Sequence, residues 1–259
     1  MNIVWENFGF FFENLKNLSV SKSLNLSNKN FCVSTGCDLE SWVYYPEKNI
    51  APEDVENVIK FFNEQNISFL WPVYGNGEEV LKSSGLFYAG DLTAMKMESN
   101  LSVDKSTSPS VVKPLCHLTM TSPIRKGRLK PIEKWAKTVW EGFDGNPDEI
   151  PENYFSMVES FSECKNFSLY VSTYEGKEAG TFLLTHGENV TGVYYFATLP
   201  KFRRKGIARA MMSEICRLSS GKTIVLQATP SGVPFYKNFG FEELFTIPVY
   251  SNENDILSD

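Results

Sequence analysis

Apolar and polar residues alternate most regularly in the second half of the chain. The segment LKPIEKWAKTVWEGF places Ile132, Trp135, Val139 and Phe143 at the spacing of one helix face. The segments FSLYVST, EAGTFLLTH and GVYYFATL each predict a strand, and only short turns separate them. Because short turns join antiparallel neighbours, these three strands are expected to form an antiparallel meander.

A second amphipathic helix is predicted from about residue 206 to residue 219. Its apolar stripe consists of Ile207, Met211, Ile215 and Leu218. The strand TIVLQA follows, and a strand, a helix and a strand in this order predict a right-handed parallel crossover. The chain then continues with a short helix, SGVPFYKNFG, and a last strand, FEELFTIPVY.

The first half repeats this order of elements. The segments SWVYYPEKN, PEDVENVIKFFNEQ, ISFLWPV, GEEVLKSSG and LFYAGDLTAMKM predict a strand, a helix, a strand, a short helix and a strand. Gly85 and Leu81 stand where Gly240 and Tyr236 stand in the second half. We interpret the first half as a degenerate copy of the second, and chance similarity of two α/β halves is the alternative.

A stretch rich in Ser, Thr and Pro, SNLSVDKSTSPSVVKP, separates the two halves and is typical of a linker. The sequence therefore predicts a first domain at 1–103, a linker at 104–113 and a second domain at 114–259.

Composition narrows the possible functions. The chain has 259 residues, 25 Lys plus Arg against 31 Asp plus Glu, and a net charge of -6, which argues against a general nucleic-acid binder. Five cysteines without dense spacing favour free thiols in a reducing cytoplasm, and with only two histidines no metal site is expected. No run approaches the ~20 apolar residues of a membrane span, and the first residues lack the basic start of a signal peptide.

Positive charge is concentrated at one place in this acidic chain, in the segment FRRKGIAR. Its glycine precedes a predicted helix, whose first N–H groups have no intrahelical partner and carry partial positive charge. A glycine there lets an anion approach the backbone, so the segment suits a diphosphate. The missing Gly-Lys-Ser/Thr ending argues against a nucleotide P-loop. A solvated charge run with a helix-breaking glycine is the alternative.

The same segment resembles a known family. Arg203-x-x-Gly206-x-Ala208 is similar to the acyl-CoA pyrophosphate loop of the GNAT-type, acetyl-CoA-dependent N-acetyltransferases. The preceding FATLP and the later LQATPSGVPFYKNFGFEEL also resemble that family, and the resemblance covers about residues 114–250. It implies an α/β fold with a mixed sheet, in which a C-terminal catalytic GNAT domain follows a degenerate GNAT-like domain without a CoA loop.

The resemblance further implies a co-substrate and an acceptor. Acetyl-CoA would donate the acetyl group to an amino group of a small molecule or a peptide, with Tyr236 as general acid. A buried core aromatic is the alternative for Tyr236. The residues implied to hold the pantetheine arm are Phe196, Ala197 and Thr198. The residues implied to hold the pyrophosphate are Arg203, Arg204, Lys205, Gly206, Ile207, Ala208 and Arg209.

Two departures from the family pattern leave the general base open. Residues 193–199 contain no carboxylate where many members carry a Glu, and Thr229 stands where the family often has an Asn. Glu141, Asp144 or Asp148 could act instead, or could simply form a solvated acidic loop. A non-catalytic CoA-binding or sensor protein is therefore the main alternative function, and a protein-assembly module is a second one.

Overall fold

The structure, a computed structural model, describes residues 2–38, 40–99, 118–120 and 129–254. The expected linker at 104–113 lies outside the described residues. The chain divides into two compact units. The first unit comprises Met1–Met95 and Gln227–Asp259, and the second comprises Lys96–Leu226. These units are defined by packing, whereas the expected domains were defined by the Ser-, Thr- and Pro-rich linker, and that expectation stays a prediction.

The helices and strands carry numbers in chain order. The helices are α1 (Ile3–Lys16), α2 (Pro52–Asn63), α3 (Glu78–Ser83), α4 (Leu129–Gly142), α5 (Glu152–Glu163), α6 (Ile207–Leu218) and α7 (Val233–Phe239). The strands are β1 (Lys22–Asn25), β2 (Phe31–Ser34), β3 (Trp42–Tyr44), β4 (Leu70–Pro72), β5 (Phe87–Glu98), β6 (Leu118–Met120), β7 (Phe167–Tyr174), β8 (Lys177–His186), β9 (Val190–Thr198), β10 (Thr223–Ala228) and β11 (Glu242–Ser251). No described helix has the length and apolar character needed to cross a membrane.

The first unit contains a mixed sheet with the strand order β1-β2-β3-β4-β11-β5. The strand β3 runs parallel to β4, and β11 runs antiparallel to β4, with Val249 opposite Pro72. The last strand of the chain thus lies in the sheet that contains the strands of the first half. One face of this sheet packs on α2, where Val55, Val58 and Phe62 are fully buried.

The helix α1 was not predicted, although its sequence is strongly apolar. Asn2 caps its first turn by accepting a hydrogen bond from the Val4 amide. Trp5 of this helix stacks on Tyr74 and Tyr44, with ring centroids 5.0 and 6.2 Å apart. The first unit therefore buries an aromatic layer in addition to its aliphatic core.

The second unit contains a mixed sheet with the strand order β10-β9-β8-β7-β6. The predicted meander is confirmed, because β7 pairs antiparallel with β8 and β8 with β9. The predicted parallel crossover is also confirmed, because β10 pairs parallel with β9. The helices α4 and α5 cover the sheet through Trp135 and Phe161, whose rings meet edge to face at 6.4 Å.

Two predicted apolar stripes end earlier than expected. Ile207, Met211 and Ile215 of α6 are buried, but Leu218 in the last turn is 37% exposed. Phe143 was assigned to the stripe of α4, yet it is 57% exposed. The reason is that α4 ends at Gly142, so Phe143 leaves the helical face before it can be buried.

Candidate active site

The strand β9 carries a bulge at Tyr195 and Phe196, where the residues expected to hold pantetheine begin. Thr181 of β8 pairs with Ala197 and Leu183 pairs with Tyr194, so two residues of β9 oppose one residue of β8. Tyr195 within the bulge has φ 49°, a left-handed backbone that a bulky residue rarely adopts. Bulges of this kind re-aim the backbone and are frequent beside active sites.

The end of β9 extends beyond its parallel neighbour. The register with β10 covers three residue pairs, from Thr223 opposite Val190 to Val225 opposite Gly192. The strand β9 then continues to Thr198. Its last residues, Phe196, Ala197 and Thr198, therefore lie past the parallel pairing, which is where an extended ligand could run along the strand.

A glycine-started helix follows directly. A short 3₁₀ turn, Pro200–Phe202, leads into the loop, and Phe202 and Ile207 are buried at its two ends. Between them Gly206 has φ 81°, a left-handed conformation that suits glycine and starts α6. The first intrahelical hydrogen bond runs from the Ala210 amide to the Gly206 carbonyl, over 3.0 Å. The amides of Ile207 and Ala208 precede that bond, as an anion site at a helix start requires.

The basic side chains of the loop are not equivalent. Residues 203–206 are exposed, and no acidic residue lies in the first turn of α6. Lys205 lies over the rings of Phe202 and Tyr174, 5.2 and 5.8 Å from their centroids. Arg204 has φ 63° and forms no ion pair among the described residues. Arg203 is held by acceptors of this chain, which none of the sequence patterns predicted.

The end of α4 lies against the end of β9. A Cβ added to Gly142 would come within 2.7 Å of the Ala197 Cβ, so only glycine permits this approach. Arg203 donates to the Gly142 carbonyl at 3.0 Å and to both carboxylate oxygens of Asp144 at 3.1 and 3.2 Å. Glu141 accepts from Lys201 at 3.1 Å. Two of the three suggested base candidates are thus ion-pair partners of residues at the loop.

Tyr236 lies in the first unit, on α7. Tyr236 is 8% exposed. The centroid of its ring lies 5.2 Å from that of Phe235 and 5.5 Å from that of Phe241. Gly240 has φ 116° and ends the helix by donating to the Tyr236 carbonyl at 3.1 Å. Burial raises the pKa of Tyr236 above its ordinary value, which keeps the phenol protonated.

Two buried cysteines are poor candidates for catalysis. Burial raises the pKa of the Cys32 and Cys37 thiols to about 12, so neither is a ready nucleophile. Among the residues that the structure describes, no group of His, Cys, Asp and Glu could hold a metal ion.

The corresponding region of the first half is closed by its own backbone. The Asn76 amide donates to the Lys48 carbonyl at 3.0 Å, joining the loops that follow β3 and β4. A Cβ on Gly75 would approach the Lys48 backbone to 2.8 Å. The first turn of α2 carries Glu53 and Asp54, which would repel an anion.

Comparisons with known proteins agree with this geometry. A family model described as an acetyltransferase (GNAT) domain matches residues 165–243. A search of curated proteins finds no significant match. Several solved structures match over 90% or more of this chain.

Three of these solved structures are similar to this chain in fold and low in sequence identity. A GCN5-related N-acetyltransferase from Kribbella flavida is 14% identical with a TM-score of 0.63, and the match covers 97% of this chain and 96% of that one. A functionally unknown conserved protein from Staphylococcus epidermidis is 12% identical with a TM-score of 0.61, covering 93% and 97%. A tandem GNAT protein from the clavulanic acid biosynthesis pathway is 9% identical with a TM-score of 0.54, covering 90% and 83%.

The predicted fold class is therefore confirmed as a mixed α/β fold of the GNAT type. The bulged β9 and the glycine-started α6 lie inside the matched region 165–243. Residues 165–243 match the GNAT acetyltransferase family model, and the chain has the fold of GNAT proteins over nearly its whole length.

Proposed function

We propose that this protein transfers the acetyl group of acetyl-CoA to an amino group of a small-molecule or peptide acceptor. The observation that carries the proposal is the left-handed Gly206 at the start of α6, directly after the bulged end of β9. A helix start without a Cβ, surrounded by exposed cations, suits a diphosphate, and an extended strand end suits a pantetheine arm.

Backbone amides and basic side chains would both hold the donor. The amides of Ile207 and Ala208 would donate to the diphosphate, and Arg204, Lys205 and Arg209 would add positive charge. Phe196, Ala197 and Thr198 would lie along the pantetheine arm. Since phosphate charge supplies much of this attraction, salt should weaken the binding of acetyl-CoA.

The transfer itself requires three events. The lone pair of the acceptor nitrogen attacks the thioester carbon, and the nitrogen loses a proton to solvent or a base. The carbonyl oxygen becomes an oxyanion, which a backbone amide near Ala197 or Thr198 would stabilise. The carbon–sulfur bond then breaks, and the departing thiolate takes a proton, which Tyr236 would supply.

The environment of Tyr236 is consistent with a proton donor. Desolvation raises the pKa of its phenol, so the hydroxyl carries a proton throughout the neutral range. The proposed role of Tyr236 rests on its spacing to Gly240.

Thiol release from acetyl-CoA, measured with a panel of amines, tests the proposal. An amine that produces steady-state thiol release and an acetylated product supports it. Release that is absent for every amine, with acetyl-CoA bound normally, supports the alternative of a CoA-binding or sensor protein. The observation favouring that alternative is that β9, Val190–Thr198, contains no carboxylate to act as a base.

We further propose a single CoA site per chain. In the first half, Asp54 accepts hydrogen bonds from Ser27 and from the Tyr45 hydroxyl, so its carboxylate is fixed near the start of α2. The helix α2 begins after Ala51, without a left-handed glycine, and a hydrogen bond joins the loops at Lys48 and Asn76. A diphosphate at that position would face the carboxylates of Glu53 and Asp54 in the first turn of α2.

A further inference from the structure

Arg203 stands first in the predicted pyrophosphate loop, yet its guanidinium already has acceptors. Its Nε donates to the Thr198 carbonyl at 3.3 Å. One terminal nitrogen donates to the Gly142 carbonyl at 3.0 Å and to the two oxygens of Asp144 at 3.1 and 3.2 Å. The acceptors come from the end of β9 and from the end of α4. The planar fork of arginine is suited to such a junction, which a lysine could not reproduce.

Asp144 occupies a backbone conformation that points to the same role. Its φ is 63°, in the left-handed region that costs a residue with a Cβ some strain. Helix ends usually place glycine or asparagine there. An aspartate in this position retains a carboxylate that glycine would lack, and that carboxylate reaches Arg203.

Two further contacts join the same elements. Gly142 lies so close to Ala197 that a Cβ would approach the Ala197 Cβ to 2.7 Å. Lys201, which follows β9, pairs with Glu141 of α4 at 3.1 Å. The end of α4 is therefore attached to the end of β9 by an ion pair, a close backbone approach and the Arg203 fork.

We propose that Arg203 is a positioning residue that fixes the end of α4 against β9, and that its guanidinium does not bind the diphosphate. The proposal rests on the proposed function, because it concerns the loop assigned to the donor. The positive charge for the diphosphate then comes from Arg204, Lys205 and Arg209. The Arg203–Asp144 pair fixes the segment that borders Ala197 and Thr198, the residues assigned to the pantetheine arm.

The first arm of the test measures stability in the full chain. Arg203→Ala and Asp144→Asn should each lower the melting temperature by up to about 4 °C, since the pair is partly exposed. Asparagine is used because it tolerates the left-handed backbone. The double variant should melt no lower than the less stable of the two single variants, because both changes break the same junction. Arg203→Lys, which keeps the charge, should not restore the melting temperature.

The second arm measures coenzyme A binding by calorimetry at two salt concentrations. Arg203→Ala should change the affinity less than twofold and leave its salt dependence unaltered. The matched control is Arg204→Asn, which removes an exposed charge at a left-handed position and should weaken both affinity and salt dependence. An Arg203→Ala variant that loses affinity tenfold while Arg203→Lys keeps it would overturn the proposal, as would additive losses of melting temperature.

The two arms separate this proposal from the proposed function. A wild-type chain that binds no coenzyme A refutes the proposed function. The coupling between Arg203 and Asp144 in the melting experiment is then still measured, and its absence refutes the positioning role by itself.

Discussion

Replacement of Gly206 tests how the donor site is built. Gly206 has φ 81°, so a residue with a Cβ pays about 1–2 kcal/mol for the left-handed backbone. Gly206→Glu adds a negative charge where the diphosphate is expected. For unit charges about 5 Å apart, repulsion is about 1 kcal/mol in water and about 3 kcal/mol near a protein surface. Because residue 206 is exposed, the lower figure applies, and two phosphate charges give about 2 kcal/mol or more.

That energy corresponds to a loss of affinity of about 30-fold or more. Gly206→Asn is the matched control, because asparagine is neutral and accepts a left-handed backbone. We expect Gly206→Asn to retain most of the fold stability. It should weaken the binding of acetyl-CoA only through the space that the added side chain occupies. Calorimetry at low salt measures both variants against the wild type. Equal affinities of Gly206→Glu and the wild type would refute the assignment of the anion site.

The other predictions address chemistry, packing and pH. Tyr236→Phe should lower kcat by roughly 100-fold with little change in donor affinity, measured by thiol release on an active amine, and full activity would leave Tyr236 a core aromatic. Gly142→Ala should destabilise the fold by about 1–3 kcal/mol in urea unfolding, because its Cβ would overpack against Ala197, and an unchanged midpoint would contradict that contact. A hydrogen bond from Lys134 lowers the pKa of Glu178 below 4.5, so this pair stabilises the fold above that pH and the stabilisation is lost as pH falls through the folded-state value. Lys134→Met should therefore flatten the fall in stability as pH drops below 4.5, and an unaltered pH profile would contradict the pairing.

Much of the second unit could be predicted because its information is local. The stripe Ile207, Met211 and Ile215 defines α6, and short turns define the meander β7–β9. Gly206 could be placed at the start of α6 because glycine readily adopts the left-handed backbone found there. These features depend on residues close together in the sequence, so the periodicity of apolar residues predicts them.

The rest depends on residues distant in sequence. No local pattern pairs β11 with β4, because strand partners are selected by tertiary packing. Tyr195 and Asp144 adopt left-handed conformations that their residue types rarely take. The Arg203 fork joins residues on two separate elements, so the charge cluster alone indicated an anion ligand and gave no sign of Asp144.

A crystal structure of the full chain with coenzyme A tests the central claim most directly. We expect one coenzyme A per chain, with its diphosphate at the amides of Ile207 and Ala208 and its pantetheine arm along Phe196, Ala197 and Thr198. Density for a second molecule at the start of α2, or a diphosphate bound away from Gly206, would contradict it.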